Sequence, residues 1–127
     1  MLKTGILNPA LNSLLSRVRH TNTLVIADRG FPFWTEIETI DLALVDGIPT
    51  VLEVLAALAL NFTIGKAWMA EEFREHNDEA LKLRFEALLP PIAWEPHLKL
   101  KVRIPLAIGL VRTGDAAPYS NVVLESA

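Results

Sequence analysis

Leu24-Val25-Ile26-Ala27 is a short apolar run with a histidine, His20, upstream and a carboxylate, Asp28, at its end. Such a run has the character of a strand buried on both faces, as in a parallel sheet. Open α/β sheets bind ligands outside the carboxyl ends of their strands, so Asp28 is expected at the rim of a cleft. His20 is expected to fold back toward the same rim. An imidazole exchanges protons near neutral pH, and a carboxylate orients it or holds a hydroxyl, which makes the two a candidate acid–base site. The plainer alternative is that His20 ends a helix and Asp28 opens a loop.

The rest of the chain repeats the alternation of helix and strand. Asn8 before Pro9 is a helix start, and Leu11, Leu14, Leu15 and Val18 follow at helical spacing, so this helix should deliver His20 to its C-terminus. After the strand, Arg29 to Trp34 is a loop by its Gly30 and Pro32, and it carries Phe31, Phe33 and Trp34. These aromatics form either a ligand platform or the cap of a core or interface. Thr39 to Val45 reads as a second strand, Thr50 to Leu60 as a helix apolar almost all round, and Lys66 to Ala70 as a third strand. Glu71-Glu72 follows with only His76 near it, a pattern that favours a solvated helix face over a metal site. Asp78 opens a helix that Pro90-Pro91 ends. His97 to Ile104 alternates apolar and basic residues, the period of an edge strand. Leu106 to Val111 is a buried strand, Arg112 to Asp115 and Pro118 to Asn121 are turns, and Val122 to Leu124 is a last strand. The whole predicts a three-layer αβα architecture with a mostly parallel sheet, residues 1–127 forming a single domain.

Composition narrows the function classes. The net charge is -3 and the sequence pI about 5.6, with acids and bases interspersed, which is no footprint for nucleic acid. There is no cysteine, so disulfides and thiolate chemistry are excluded, in keeping with a reducing cytoplasm. The greasiest stretch, Leu42 to Leu60, is interrupted by Asp46, Gly47, Pro49 and Glu53, so no membrane span is expected. Half the residues are hydrophobic and the mean hydropathy is +0.32, more than a small monomer easily hides, which points to self-association. No glycine-rich phosphate loop occurs, and His20, His76 and His97 lack the spacing of a zinc site, so neither nucleotide nor metal is indicated.

Taken together, the loops resemble the ribose pyranase and fucose mutarotase family. The likeness is carried by Lys3 with Gly5-Ile6-Leu7-Asn8, by His20-Thr21 with Val25-Ile26-Ala27-Asp28, Gly30 and Pro32, and by Ile40 to Leu44 with Gly47-Ile48-Pro49. Ala70-Glu71-Glu72 and Arg112-Thr113-Gly114 with Pro118-Tyr119 and Asn121 extend it, and both ends are most similar to the ribose pyranase branch. The resemblance implies a cytoplasmic, cofactor-free homo-oligomer, typically a decamer of two pentameric rings, with sites at subunit interfaces. It implies interconversion of cyclic forms of a free monosaccharide, with the catalytic histidine at His20. Sugar-binding positions fall on Asp28, His97, Tyr119 and Asn121 with the Ser120 backbone between the last two, and a lysine reaching a neighbouring site falls on Lys101. In ribose pyranases the segment after the second histidine is helical, in conflict with the alternation from His97 to Ile104.

The chemistry fits the residues. Exchanging a pyranose for a furanose needs a proton to leave the anomeric hydroxyl as one reaches the ring oxygen, and a residue titrating near neutral pH performs both steps. A buried sugar needs its hydroxyls matched, which Asp28, Asn121, Tyr119 and His97 would do. Departures from the pattern gather at the pocket: Arg19 where glycine is usual, Arg29 with Phe33-Trp34 in place of a smaller loop, and Asp115 in place of glutamate. The competing readings are a non-catalytic sugar-binding or regulatory ring, motivated by the positive charges Arg19 and Arg29, and a plain structural oligomer.

Overall fold

Asn8 and Pro9 begin the first helix as expected: the Asn8 side chain accepts a hydrogen bond from Leu11 N at 2.9 Å, and Pro9 opens α1 (Pro9–Arg17). In this computed structural model, which describes residues 1–127, the remaining elements are β1 (Thr23–Ala27), β2 (Glu38–Asp41), α2 (Val51–Ala59), β3 (Ile64–Ala70), α3 (Glu71–His76), α4 (Glu79–Leu88), β4 (Ile92–Glu95), α5 (His97–Arg103), β5 (Gly109–Arg112) and β6 (Val122–Ser126). A 3-10 turn, Ile104–Leu106, extends α5. Thr50 and Glu53 close a capping box on α2, and Asp78 caps α4 through Leu81 N at 2.8 Å.

One six-stranded sheet runs β2-β5-β1-β6-β3-β4. Neighbours pair in parallel except at β6, which is antiparallel to both β1 and β3. Alternate residues of β1 serve opposite cores. Leu24 and Ile26 face the larger one, packed with Leu11 and Leu14 of α1, Leu55 and Leu58 of α2, and Phe85 of α4. Val25 and Ala27 face the second, under Leu100 of α5 and Ile104. Helices thus cover both faces, and the three-layer αβα arrangement with a mostly parallel sheet is the one expected. No helix is long and apolar enough to cross a membrane.

Several segments differ from their sequence reading. α1 stops at Arg17 and Val18 caps it in extended conformation, so His20 lies beyond the helix, in an exposed turn where Thr21 has a φ of 65°. The second strand ends at Asp41 rather than Val45, because the Asp41 carboxylate accepts from Ala43 N at 3.1 Å and turns the chain. β4 has no counterpart in the reading. The strand expected over Leu106 to Val111 begins only at Gly109.

His97 to Ile104 is helical, not an edge strand. Leu100 and Ile104, four apart, are buried against the sheet, while Leu98, Val102 and Leu106, also four apart, are 78%, 68% and 79% exposed. A helix with two apolar faces makes every second residue apolar, which imitates strand period. Pro105 sits in the 3-10 turn after the helix and breaks nothing.

Candidate sugar site

The direction of β6 assembles the site. Because β6 alone runs against its neighbours, its entry end meets the exit ends of β1, β4 and β5 at one edge of the sheet. Asp28 follows β1, His97 follows β4 by two residues, Thr113 to Asp115 follow β5, and Tyr119 to Asn121 precede β6. A cleft of about 370 Å³ opens there, lined by Asp28, Phe31, His97, Asp115, Tyr119 and Asn121 among others. That size and mixed polar lining suit a small polar ligand.

Asp28 Oδ1 accepts from Gly30 N at 3.0 Å, and Asp28 N donates to Asn121 Oδ1 at 2.8 Å. Burial raises the Asp28 pKa above its ordinary value and the nearby Asp115 carboxylate adds to this, against hydrogen bonds from Gly30, Asn121 and Phe31. His97 shifts the opposite way. Burial, with the Lys101 ammonium one turn along α5, lowers its pKa, against the attraction of Glu72 and Asp28. Its ring stands edge-on to Phe31 at 6.2 Å and to Tyr119 at 5.1 Å, and its Nδ1 is buried with no hydrogen-bond partner. A doubly protonated ring would leave the buried Nδ1–H unpaired, which acts in the same direction as the lowered pKa and favours the neutral imidazole.

Three of the sequence-derived site residues lie outside the lining of this cleft. Thr21 N donates to Ser126 O and Ser126 N to Asn22 O, so His20 sits at the opposite edge of the sheet, where β1 begins and β6 ends. The five residues of β1 alone separate it from Asp28 by about 16 Å. The expectation that His20 folds back to the rim within one chain is corrected accordingly: a strand carries its two ends apart. Lys101 lies one turn beyond His97 on α5 and does not line the cleft. Ser120 is the third: it is buried, does not line the cleft, and its hydroxyl donates to Ala117 O at 2.9 Å. Of the loop aromatics, Phe31 packs in the second core and lines the cleft with Pro32, Trp34 packs against that core, and Phe33 is exposed. Arg29 at the rim is paired with Asp46.

Three residues have supporting roles that the sequence reading did not give them. Glu72 is no solvated bystander: both its carboxylate oxygens accept from His97 N at 3.0 Å, capping α5, whose own Pro96 provides no side-chain cap. Asp115 is buried and accepts from Val51 N at 2.9 Å and Ala117 N at 2.8 Å, tying the start of α2 to the loop that carries Tyr119. Asn77 donates through Nδ2 to Pro118 O at 2.9 Å, holding the same loop from α3. The available signals were an aspartate after Gly114 and an Asn-Asp pair, which read equally well as ordinary turn chemistry.

The family model described as the RbsD / FucU transport protein family matches residues 1–127. A D-ribose pyranase of Geobacillus kaustophilus is 40% identical over 129 aligned positions, covering 99% of this chain and 93% of that protein. The structure of Bacillus subtilis RbsD complexed with D-ribose superposes with a TM-score of 0.91 at 34% identity, covering 99% of this chain and 97% of the other. The fucose mutarotase of Streptococcus pneumoniae in complex with L-fucose shares the fold, with a TM-score of 0.78 at 17% identity over 94% of this chain and 91% of that one.

Proposed function

The chain belongs to the RbsD / FucU family, and from that premise we propose that it interconverts ring forms of a free monosaccharide, D-ribose foremost, by acid–base opening and reclosure of the hemiacetal. The carrying observation is the convergence of Asp28, His97, Tyr119 and Asn121 on one cleft of sugar size. Hydroxyl donors and acceptors are matched there by a carboxylate, an amide, a phenol and a neutral imidazole. In the reaction a base takes the anomeric O–H proton, the C1–ring-oxygen bond breaks as that oxygen is protonated, the aldehyde rotates, and a different hydroxyl adds. Acid–base catalysis of this kind contributes about 10²- to 10⁴-fold.

His20 is the shuttle in this reading, and it comes from a second copy of the chain. Its place at the far end of β1 supports that assignment, as does the exposed stripe Leu98, Val102 and Leu106 on the helix that carries His97. An apolar strip of this kind on the helix that carries His97 suits a head-to-tail contact, in which the cleft end of one copy meets the His20 end of the next and a ring can close. The assembly is a homo-oligomer acting in the cytoplasm, a decamer of two pentameric rings, in which Lys101 reaches a neighbouring site. Sedimentation gives its size.

The test is magnetisation transfer between the pyranose and furanose signals of ribose. Exchange should rise on adding protein and fall to background with His20→Ala or Asn121→Ala, and mixed, co-refolded subunits of the two variants should regain part of it. Silence with every pentose and 6-deoxyhexose would remove the enzymatic reading. Because one chain holds the hydroxyl-binding groups without His20, the second reading is a sugar-binding ring. It is favoured by saturation transfer to a bound sugar with no gain in exchange.

A further inference from the structure

Tyr119 occupies a backbone conformation that the loop must be held in. Its φ is 58°, the left-handed region that residues with a Cβ seldom enter, so neighbouring contacts have to over-determine it. Those contacts come from two elements, α5 and the end of α3. His97 meets the ring edge-on, and His76, the last residue of α3, packs against it at a centroid distance of 5.1 Å and a tilt of 46°. The imidazole of His76 is itself fixed, because its Nδ1–H donates to Glu72 O at 2.8 Å. The next residue, Asn77, anchors the loop backbone at Pro118 O and the helix at Phe73 O, both at 2.9 Å. The end of α3 and the Tyr119 loop are therefore one mechanical unit, with Asn77 gripping the main chain and His76 the side chain.

We propose that His76 is a positioning residue for sugar binding, acting through the Tyr119 ring. This rests on the function proposed above. His76 does not line the cleft; it borders a separate hollow with Asp78 and Arg84. Its effect is to narrow the orientations open to the Tyr119 phenol, so that the hydroxyl is already aimed when the sugar arrives. The groups assigned to proton transfer are elsewhere, so losing His76 weakens binding and leaves the chemical step alone. An aromatic pair of this geometry supports a change of roughly 2- to 10-fold in KM. His76 is exposed, so truncating it opens no core cavity and the fold survives.

The experiment is a kinetic cycle on full-length protein with ribose as the probe, comparing wild type, His76→Ala, His76→Phe, Tyr119→Ala and the His76→Ala/Tyr119→Ala pair. His76→Ala should raise KM roughly 2- to 10-fold with kcat within about twofold. His76→Phe, which keeps a ring against Tyr119, should restore most of that loss. In the Tyr119→Ala background, His76→Ala should add nothing. An unchanged KM in His76→Ala, a fall confined to kcat, or an undiminished effect without Tyr119 would overturn the inference. If wild type binds ribose without exchanging it, the enzymatic reading fails by itself, and the same cycle scored as ribose Kd decides the role of His76. If wild type binds no sugar, both fall.

Discussion

Asp115→Ala removes one buried carboxylate that serves two backbone amides, Val51 N at the start of α2 and Ala117 N in the Tyr119 loop. Hydrogen bonds to a charged acceptor contribute about 1.5–3 kcal/mol each, and truncation leaves the donors to find water or go unpaired. The Val51 amide is enclosed and heads a helix whose dipole also favours the negative charge. The Ala117 amide is only half-buried, so water replaces part of what it loses. The net loss should be about 3 kcal/mol. With a urea m-value of about 1.5–2 kcal/mol per molar for a chain this size, the unfolding midpoint should fall by about 1.5–2 M. Variants must be compared at one protein concentration, since self-association adds to apparent stability. Asp115→Asn keeps one acceptor oxygen and should lose about half as much. A midpoint for Asp115→Ala within about 0.3 M of wild type would refute the reasoning, because both amides would then be satisfied without the carboxylate.

Other consequences are equally direct. A Cβ at Gly114 would overlap Val45 O and lie 2.7 Å from Ile48 O, so Gly114→Ala should destabilise by about 2–4 kcal/mol and lower the thermal midpoint by roughly 7–15 °C. Glu72→Ala uncaps α5 and should cost about 1 kcal/mol, with faster amide exchange at His97 to Leu100 than in the rest of the sheet. Asp28 has its pKa raised by burial, so the folded state holds that proton more tightly than the unfolded one, and stability from this group is lost as pH rises from the ordinary carboxyl value through the folded one. Asp28→Asn should therefore gain stability over wild type at neutral pH, with the gain vanishing below about pH 3 in urea titrations, while ribose binding is lost. For His97 the sign is reversed: its folded pKa is lowered, so stability falls as pH drops below the ordinary histidine value and levels off below the folded one, and His97→Gln should abolish that dependence.

Much of the fold was legible because the determining signals are local. The cap at Asn8-Pro9, the helix start at Asp78, the apolar pattern from Thr50 to Leu60 and the Leu24 to Ala27 run are each confined to a short stretch, and each produces the element expected of it. The misreading of α5 has a definite cause. One apolar face of that helix meets the sheet and the other faces outward, so hydrophobic pattern alone measures two demands at once and returns the wrong period. The end of α1 was misplaced for a related reason: Val18 is apolar and in phase but extended, and backbone conformation at a cap is not a matter of hydrophobicity.

The sequence by itself determined the layers of this protein, the chemistry available at its loops and the family to which those loops are similar, since apolar spacing, capping residues and motif order are properties of the chain. Only the tertiary structure decided which of those residues meet. The antiparallel course of β6 brings Tyr119 and Asn121 to Asp28 and His97, and the rise of about 3.3 Å per residue along β1 carries His20 to the other side of the sheet. Strand direction and length are set by packing among distant segments, which no short stretch of sequence encodes.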